Sequence, residues 1–348
     1  MGRLRLSPRA YQWVTLVAAI LLALIIVTGA AVRLTGSGLG CPEWPNCTKG
    51  SFASSSSDYH ATVEFANRVV TGLVSLGVIL AVLGSLVRLP RRRDLIWLSL
   101  GLVVGVIAQA LLGALVVEKL LDPPFVMGHF LLSAVLLANA IVLHHRAGIP
   151  DGWRSRPAFG SGPIWLGRLL LLAVTVVLVT GTVVTGAGPH SGDAGSHASL
   201  KATRLDLAVP EVARIHGTSV MVFLALVLIT LFAFARHPGE RRGLVLHRLE
   251  LLLGLVIAQG ALGYYQYFNG VPRLAVGFHV AGATAVFSAT VVVLLSMYEP
   301  VRARPGLEGE DAAADGREAP AGPDPRAAPA GPPVQPEAGV TGALLPGQ

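Results

Sequence analysis

Cysteine is nearly absent from this chain of 348 residues, which has two, Cys41 and Cys47. A pair supplies half of a tetrahedral metal shell, and no histidine lies between them, which argues against a zinc site. Charge is scarce as well, at 14% of residues, where a soluble globular domain carries about 25%. The net charge of +7 is not gathered on one soluble surface, so it gives no case for a nucleic-acid partner. No small-residue cleavage motif follows the first apolar run, which therefore reads as a retained helix and not as a signal peptide.

Apolar residues are what the chain has in quantity: 53% of it is hydrophobic, and its mean hydropathy is positive. A helix needs roughly 20 apolar residues to cross the hydrocarbon. Eight such runs are present, at about 12–33, 63–87, 95–117, 125–144, 164–187, 212–235, 244–268 and 274–298. The arginines alternate with them: Arg3, Arg5 and Arg9 precede the first run, Arg88 and Arg91 to Arg93 follow the second, Arg146, Arg154 and Arg156 the fourth, and Arg236, Arg241, Arg242 and Arg248 the sixth. The positive-inside rule then puts both termini in the cytoplasm of a plasma-membrane protein. Cys41 and Cys47 fall in the first outer loop, where oxidation is permitted, so a local disulfide is expected in preference to free thiols.

Internal similarity organises the rest. IAQALLG from Ile107 recurs as IAQGALG from Ile257, and VMGHF from Val126 as VGFHV from Val276, both 150 residues on. VTGAAVRLTGSG from Val27 recurs as VTGTVVTGAG from Val179, and VEFANR from Val63 lies over VARIHG from Val212. An even number of spans separates the copies, which makes this a parallel repeat. The expected fold is an all-α integral membrane protein, with eight transmembrane helices as two tandem four-helix bundles in parallel orientation. Its parts are a cytoplasmic N-terminus (1–11), a first half (12–147), a cytoplasmic linker (148–163), a second half (164–299) and a disordered cytoplasmic tail (300–348), rich in Pro, Ala, Gly and Glu.

The repeat pairs His129 with His279 and Asn67 with His216, each a few residues inside a span entered from the outer face. One histidine in a span reads as a packing residue, but two at equivalent positions point to function. Histidines on neighbouring helices suit haem iron, which takes an axial imidazole from each side inside an apolar bundle. Zinc, with only two ligands in register, fits less well. Arg214 and Arg273 suit either haem propionates or interfacial snorkelling. Gln109 and Gln259 also repeat and read first as interhelical hydrogen-bond donors, and Gly101 with Gly105 as a close-packing face. His144, His145, His237 and His247 fall at the cytoplasmic edge and His60, His190 and His197 in outer loops, where surface roles are expected.

The halves differ at one place. The first has His129 but Asn67 opposite it, with Glu64 one turn earlier on the same face. Double ligation suits electron transfer, and an open side suits chemistry. Glu64 reads either as a general base or charge-stabilising carboxylate, or as the partner of Arg68 in an i, i+4 ion pair.

TGSGLGCPEWPNC, EFANR, the GHF at His129, TGAGPHSGD, RIHG and the GFHVAG around His279 occur in this order over about residues 12–298. Together they resemble the haem A synthase family, CtaA in bacteria and Cox15 in mitochondria. The resemblance implies oxidation of the C8 methyl of haem O to a formyl group by successive hydroxylations. It implies a haem b cofactor held by the pair matching His216 and His279. It also implies a haem O site in the first half with Glu64 catalytic and His129, Asn67 and Arg68 around it, and a Cys41–Cys47 disulfide. This chain departs from the pattern in having Asn67 where the family carries histidine. The partners implied are haem O delivered by haem O synthase, an electron acceptor with a quinone among the candidates, and membrane lipid; a homo-oligomer stays open. Two other classes compete: a non-enzymatic dihaem electron carrier, and a transporter built from parallel repeats. The transporter requires polar residues and broken helices near mid-membrane, whereas the polar residues here gather at the outer ends.

Overall fold

The apolar runs become eight helices, and the first seven are longer than their runs because polar residues build their ends. In the computed structural model, residues 5–302 are described apart from 42, 49, 54–57, 191, 193–202 and 240. The helices are α1 (Pro8–Leu34), α2 (Tyr59–Val87), α3 (Arg93–Glu118), α4 (Pro123–Ala147), α5 (Ser161–Ala187), α6 (Val209–Ala235), α7 (Arg242–Phe268) and α8 (Arg273–Ser296). All eight are long and apolar enough to cross a membrane. The Asp58 carboxylate caps α2 by accepting from the N–H groups of His60 (2.9 Å) and Ala61 (3.2 Å), so the helix starts four residues before the apolar run. Glu64 therefore lies in its second turn. Ser7 caps α1 in the same way, accepting from the N–H of Ala10.

Each helix is sorted by face, but with lipid as the outer medium. On α1, Trp13, Val17, Ile20 and Leu24 form an exposed stripe, while Tyr11, Thr15, Ala18, Leu22 and Ile26 are buried on the other side. Both stripes are apolar because hydrocarbon, unlike water, does not penalise an exposed leucine. Specificity then rests on shape, and small residues supply it. A Cβ on Gly77 of α2 would come within 3.2 Å of Leu21, and one on Gly84 within 2.9 Å of Tyr11, both on α1. Gly101 and Gly105 do the same between α3 and α4, facing Asn139 and Leu136.

Neighbour relations follow the repeat. Helix α1 packs on α2 and α4, and α3 packs on the same two; α5 packs on α6 and α8, and so does α7. Contacts of α1 with α8, α4 with α5 and α4 with α8 join the two sets. Where α1 and α5 end, Arg33 donates to the carbonyls of His190 (2.7 Å) and Thr185 (2.9 Å), and His190 Nε2 donates to the Val271 carbonyl at 2.7 Å.

The linker and the start of the tail are not plain coil. Strand β1 (Trp153–Pro157) pairs antiparallel with β2 (Tyr298–Arg302), in a register that sets Trp153 opposite Arg302. This corrects the expected boundary of the tail at residue 300, because Pro300, Val301 and Arg302 belong to a strand. Period-2 patterning over five residues among arginines and prolines is too short to register in the sequence; the pairing arises because α4 and α8 bring the two segments together. The remainder of the expected tail, and His197, lie outside the described residues. Nearby, Arg88 is almost fully buried and donates to Asp151 (2.7 Å) and the Pro90 carbonyl (2.6 Å).

Candidate functional site

The loop between α1 and α2 is tied down onto α2. Cys41 and Cys47 are disulfide-bonded, as expected from the sequence, and both are fully buried. Gly40 lies so close to α2 that a Cβ there would collide with the backbone of His60. Glu64, 6% exposed, accepts from the Cys41 main-chain N–H at 2.8 Å through Oε2 and from Arg68 Nη2 at 2.7 Å through Oε1. The ion pair is thus present, but it is part of a larger structure. Arg68 also donates to the carbonyls of Cys41, Glu43, Pro45 and Asn46 at 2.9 to 3.4 Å. A guanidinium has only donors and no acceptor, and Arg68 directs both of its Nη groups to the loop and Nη2 also to Glu64. The sequence motif EFANR thus encodes a carboxylate held in place by a disulfide loop.

Within the helices, three histidines sit in matched seats. Gln109 on α3 donates to the His129 carbonyl on α4 at 3.0 Å, and Gln259 on α7 donates to the His279 carbonyl on α8 at 2.7 Å. The repeated glutamines are therefore interhelical donors that fix the backbone under each histidine. A Cβ on Gly113 would lie 3.3 Å from His129 Cε1, and one on Gly263 would lie 3.6 Å from His279 Cε1. On α6, His216 is seated on Gly181, whose Cβ would be 3.1 Å from its Cε1, and its Nδ1 lies 3.1 Å from the Thr180 hydroxyl. Thr180 can donate to the Val176 carbonyl at 2.9 Å, which leaves its oxygen to accept Nδ1–H and frees Nε2 of His216 as a lone-pair donor. Helix α6, which carries His216, and α8, which carries His279, are diagonal members of their set.

The corresponding place in the first half has a different occupant. Thr28, the counterpart of Thr180, lies 2.8 Å from Asn67 Oδ1. Around Gly29, the counterpart of Gly181, an added Cβ meets nothing within 4 Å.

These donors suit haem iron. His129 Nδ1 and His279 Nδ1 are buried without a hydrogen-bond partner, while each ring rests on a glycine that a larger residue would fill. The imidazoles are thus turned by packing rather than by hydrogen bonds at Nδ1. Among the described residues no group of three His, Cys, Asp or Glu is placed to hold a lone metal ion.

The family described as cytochrome oxidase assembly protein, COX15-CtaA, matches residues 11–216. The chain belongs to the COX15-CtaA family. Curated relatives include heme A synthase from Lysinibacillus sphaericus, 33% identical over 189 residues, which are 51% of this chain and 58% of that one. Heme A synthase from Shouchella clausii is 28% identical over 283 residues, 76% of this chain and 89% of the relative. The Bacillus cereus protein of the same name is 30% identical over 136 residues, 39% and 43% of the two chains. The matched family region includes Glu64, Asn67, His129 and His216, and it stops short of His279.

The other sequence candidates of this COX15-CtaA chain are dispersed. Arg214 and Arg273 are exposed near the N-terminal ends of α6 and α8. His60 contacts the Ser37 hydroxyl at 3.1 Å, His144 contacts Thr15 at 3.2 Å, and His237 packs against Phe159 and Phe234. The residues that sequence reasoning missed are Thr28, Thr180, Gly29, Gly113, Gly181 and Gly263. All lie inside the repeated VTG and IAQ motifs, so the repeat flagged their positions, but only side-chain contacts reveal what they touch.

Proposed function

We propose that the chain is a haem A synthase, oxidising the C8 methyl of haem O to a formyl group by successive hydroxylations with electrons passed to a bound haem b. The observation that carries this reading is a matched pair of histidine seats with one asymmetry. Gln109, Gly113 and His129 correspond to Gln259, Gly263 and His279, whereas His216 corresponds to Asn67. The chain is the variant of its family with Asn67 in place of the first substrate-site histidine. It is read as two tandem four-helix bundles in parallel orientation, with both termini cytoplasmic and both sites toward the outer face.

In this reading His216 and His279 hold haem b, which when bound would supply a one-electron acceptor in the same protein. His129 receives haem O in the first half, delivered by haem O synthase. Glu64, one turn before Asn67 on α2, serves as general base or steadies positive charge developing on the substrate. Its bonds to Cys41 and Arg68 keep the carboxylate in one position, which is what a pre-organised catalytic group requires. Thr180 sets the tautomer of His216, and the two glutamines hold α4 and α8 against α3 and α7.

The test is co-expression with a source of haem O, followed by pigment extraction and mass analysis. A synthase yields haem A. A chain that retains haem b and haem O with no haem A would instead be a dihaem electron carrier.

A further inference from the structure

The two halves treat the same position in opposite ways. In the second, Thr180 contacts Nδ1 of His216, and the Cε1 side of the ring lies over Gly181, where a Cβ would be 3.1 Å away. In the first, Thr28 contacts Oδ1 of Asn67 at 2.8 Å, and a Cβ on Gly29 would meet nothing within 4 Å. An asparagine amide reproduces the inner part of an imidazole: Oδ1 takes the role of Nδ1, and Nδ2 stands near the place of the ring's second carbon. The outer part of the ring, Cε1 and Nε2, has no counterpart. In the second half Cε1, Nδ1 and Nε2 of the ring all lie within 4 Å of the Cβ position on the glycine, whereas in the first half no atom of Asn67 does, so the space over Gly29 is left open.

Thr28 also decides which way the amide faces. Its hydroxyl is closer to Asn67 Oδ1 (2.8 Å) than to the Ile25 carbonyl (3.4 Å), so the Asn67 oxygen is taken as an acceptor. The remaining group is the Nδ2 amide, with two N–H donors and no lone pair available for a metal. Asn67 is therefore built to donate a hydrogen bond where His216 would offer a ligand. Across the set, α4 carries His129 on the helix diagonal to α2.

We propose that the first half takes a small exchangeable ligand, of the class of water or a small anion, in the space over Gly29, and that Asn67, oriented by Thr28, donates the hydrogen bond that holds it. This rests on the reading that the first half receives haem through His129, and it adds that His129 is the one protein ligand there. Asn67 is a specificity-determining residue, and Thr28 a positioning residue that acts through it.

The experiment uses the purified full-length protein saturated with ferric haem b, with haem content, visible and electron paramagnetic resonance spectra recorded during azide titration. The expected result is two haems per chain: one low-spin and indifferent to azide, and one high-spin that shifts on azide binding. Asn67→Val weakens azide affinity by about tenfold, the loss of one hydrogen bond. Thr28→Val weakens it by roughly threefold, because the amide is then free to turn. Asn67→His converts the high-spin component to low-spin and abolishes the azide response. Two bound haems that are both low-spin and azide-insensitive in the wild type overturn the inference while leaving the proposed function intact. So does an azide affinity unchanged in both valine variants. One haem per wild-type chain overturns the first-half site itself, and the inference with it. Should Asn67→Val fail to fold, the wild-type spin state and Thr28→Val still decide.

Discussion

Glu64 accepts a hydrogen bond from the main-chain N–H of Cys41 at 2.8 Å, which joins the carboxylate on α2 to the disulfide loop before it. Loop and carboxylate are one unit, since Arg68 holds the other carboxylate oxygen and several loop carbonyls. A group fixed on both oxygens is ordered before any substrate arrives.

Glu64→Gln keeps an acceptor for Cys41 N–H but loses the charge. The expected outcome is haem b content like that of the wild type, with haem A formation halted or an intermediate trapped, read by extraction and mass analysis. A variant that made haem A at the wild-type rate would remove Glu64 from the chemistry and leave it the loop anchor.

Reducing the Cys41–Cys47 disulfide releases a six-residue connection. Chain-entropy reasoning puts its contribution at about 2 kcal/mol. The loop then loses its hold on Glu64 and Arg68. Limited proteolysis should cut near residues 41–47 only in the reduced protein. Equal resistance in both forms would show that Arg68 alone suffices.

His216→Ala or His279→Ala removes one of the two histidines proposed to hold haem b. Either variant should lose the low-spin b-type absorption, and a spectrum that survived both would refute the cofactor assignment. Removing the Thr180 hydroxyl by Thr180→Val leaves His216 in place but frees its ring, so the expected change is a weaker haem affinity with the same band positions.

Gly181→Ala and Gly29→Ala are the same substitution at repeat-related sites, with different expected results. The new methyl carbon at 181 would press on His216 at 3.1 Å, closer than ordinary van der Waals contact, and so should displace the ring and lower second-half haem occupancy. At Gly29 the methyl meets open space, and alanine is the better helix former by about 0.8–1 kcal/mol. Thermal unfolding in detergent should show Gly29→Ala at least as stable as the wild type. A large loss there would mean that α2 packs closer to α1 than the structure has it.

The eight spans, the repeat and the positions of Glu64, Asn67, His129, His216 and His279 were legible in the sequence, because hydrocarbon thickness and 3.6-residue periodicity act on any chain and a duplicated motif marks itself. The disulfide was legible too, from the only two cysteines, which fall in one loop. The sequence left Glu64 open between an ion pair and a catalytic carboxylate, and the structure shows the ion pair as one part of a loop clamp. It could not reveal the β1–β2 pairing, which unites segments more than 140 residues apart. Nor could it reveal that Thr28 holds Asn67 as Thr180 holds His216. Such contacts depend on how closely two backbones approach, and in lipid that is set by which glycines face which rings. Composition determined that this chain lives in a membrane; only the packed helices decided which polar atoms are left to face the site.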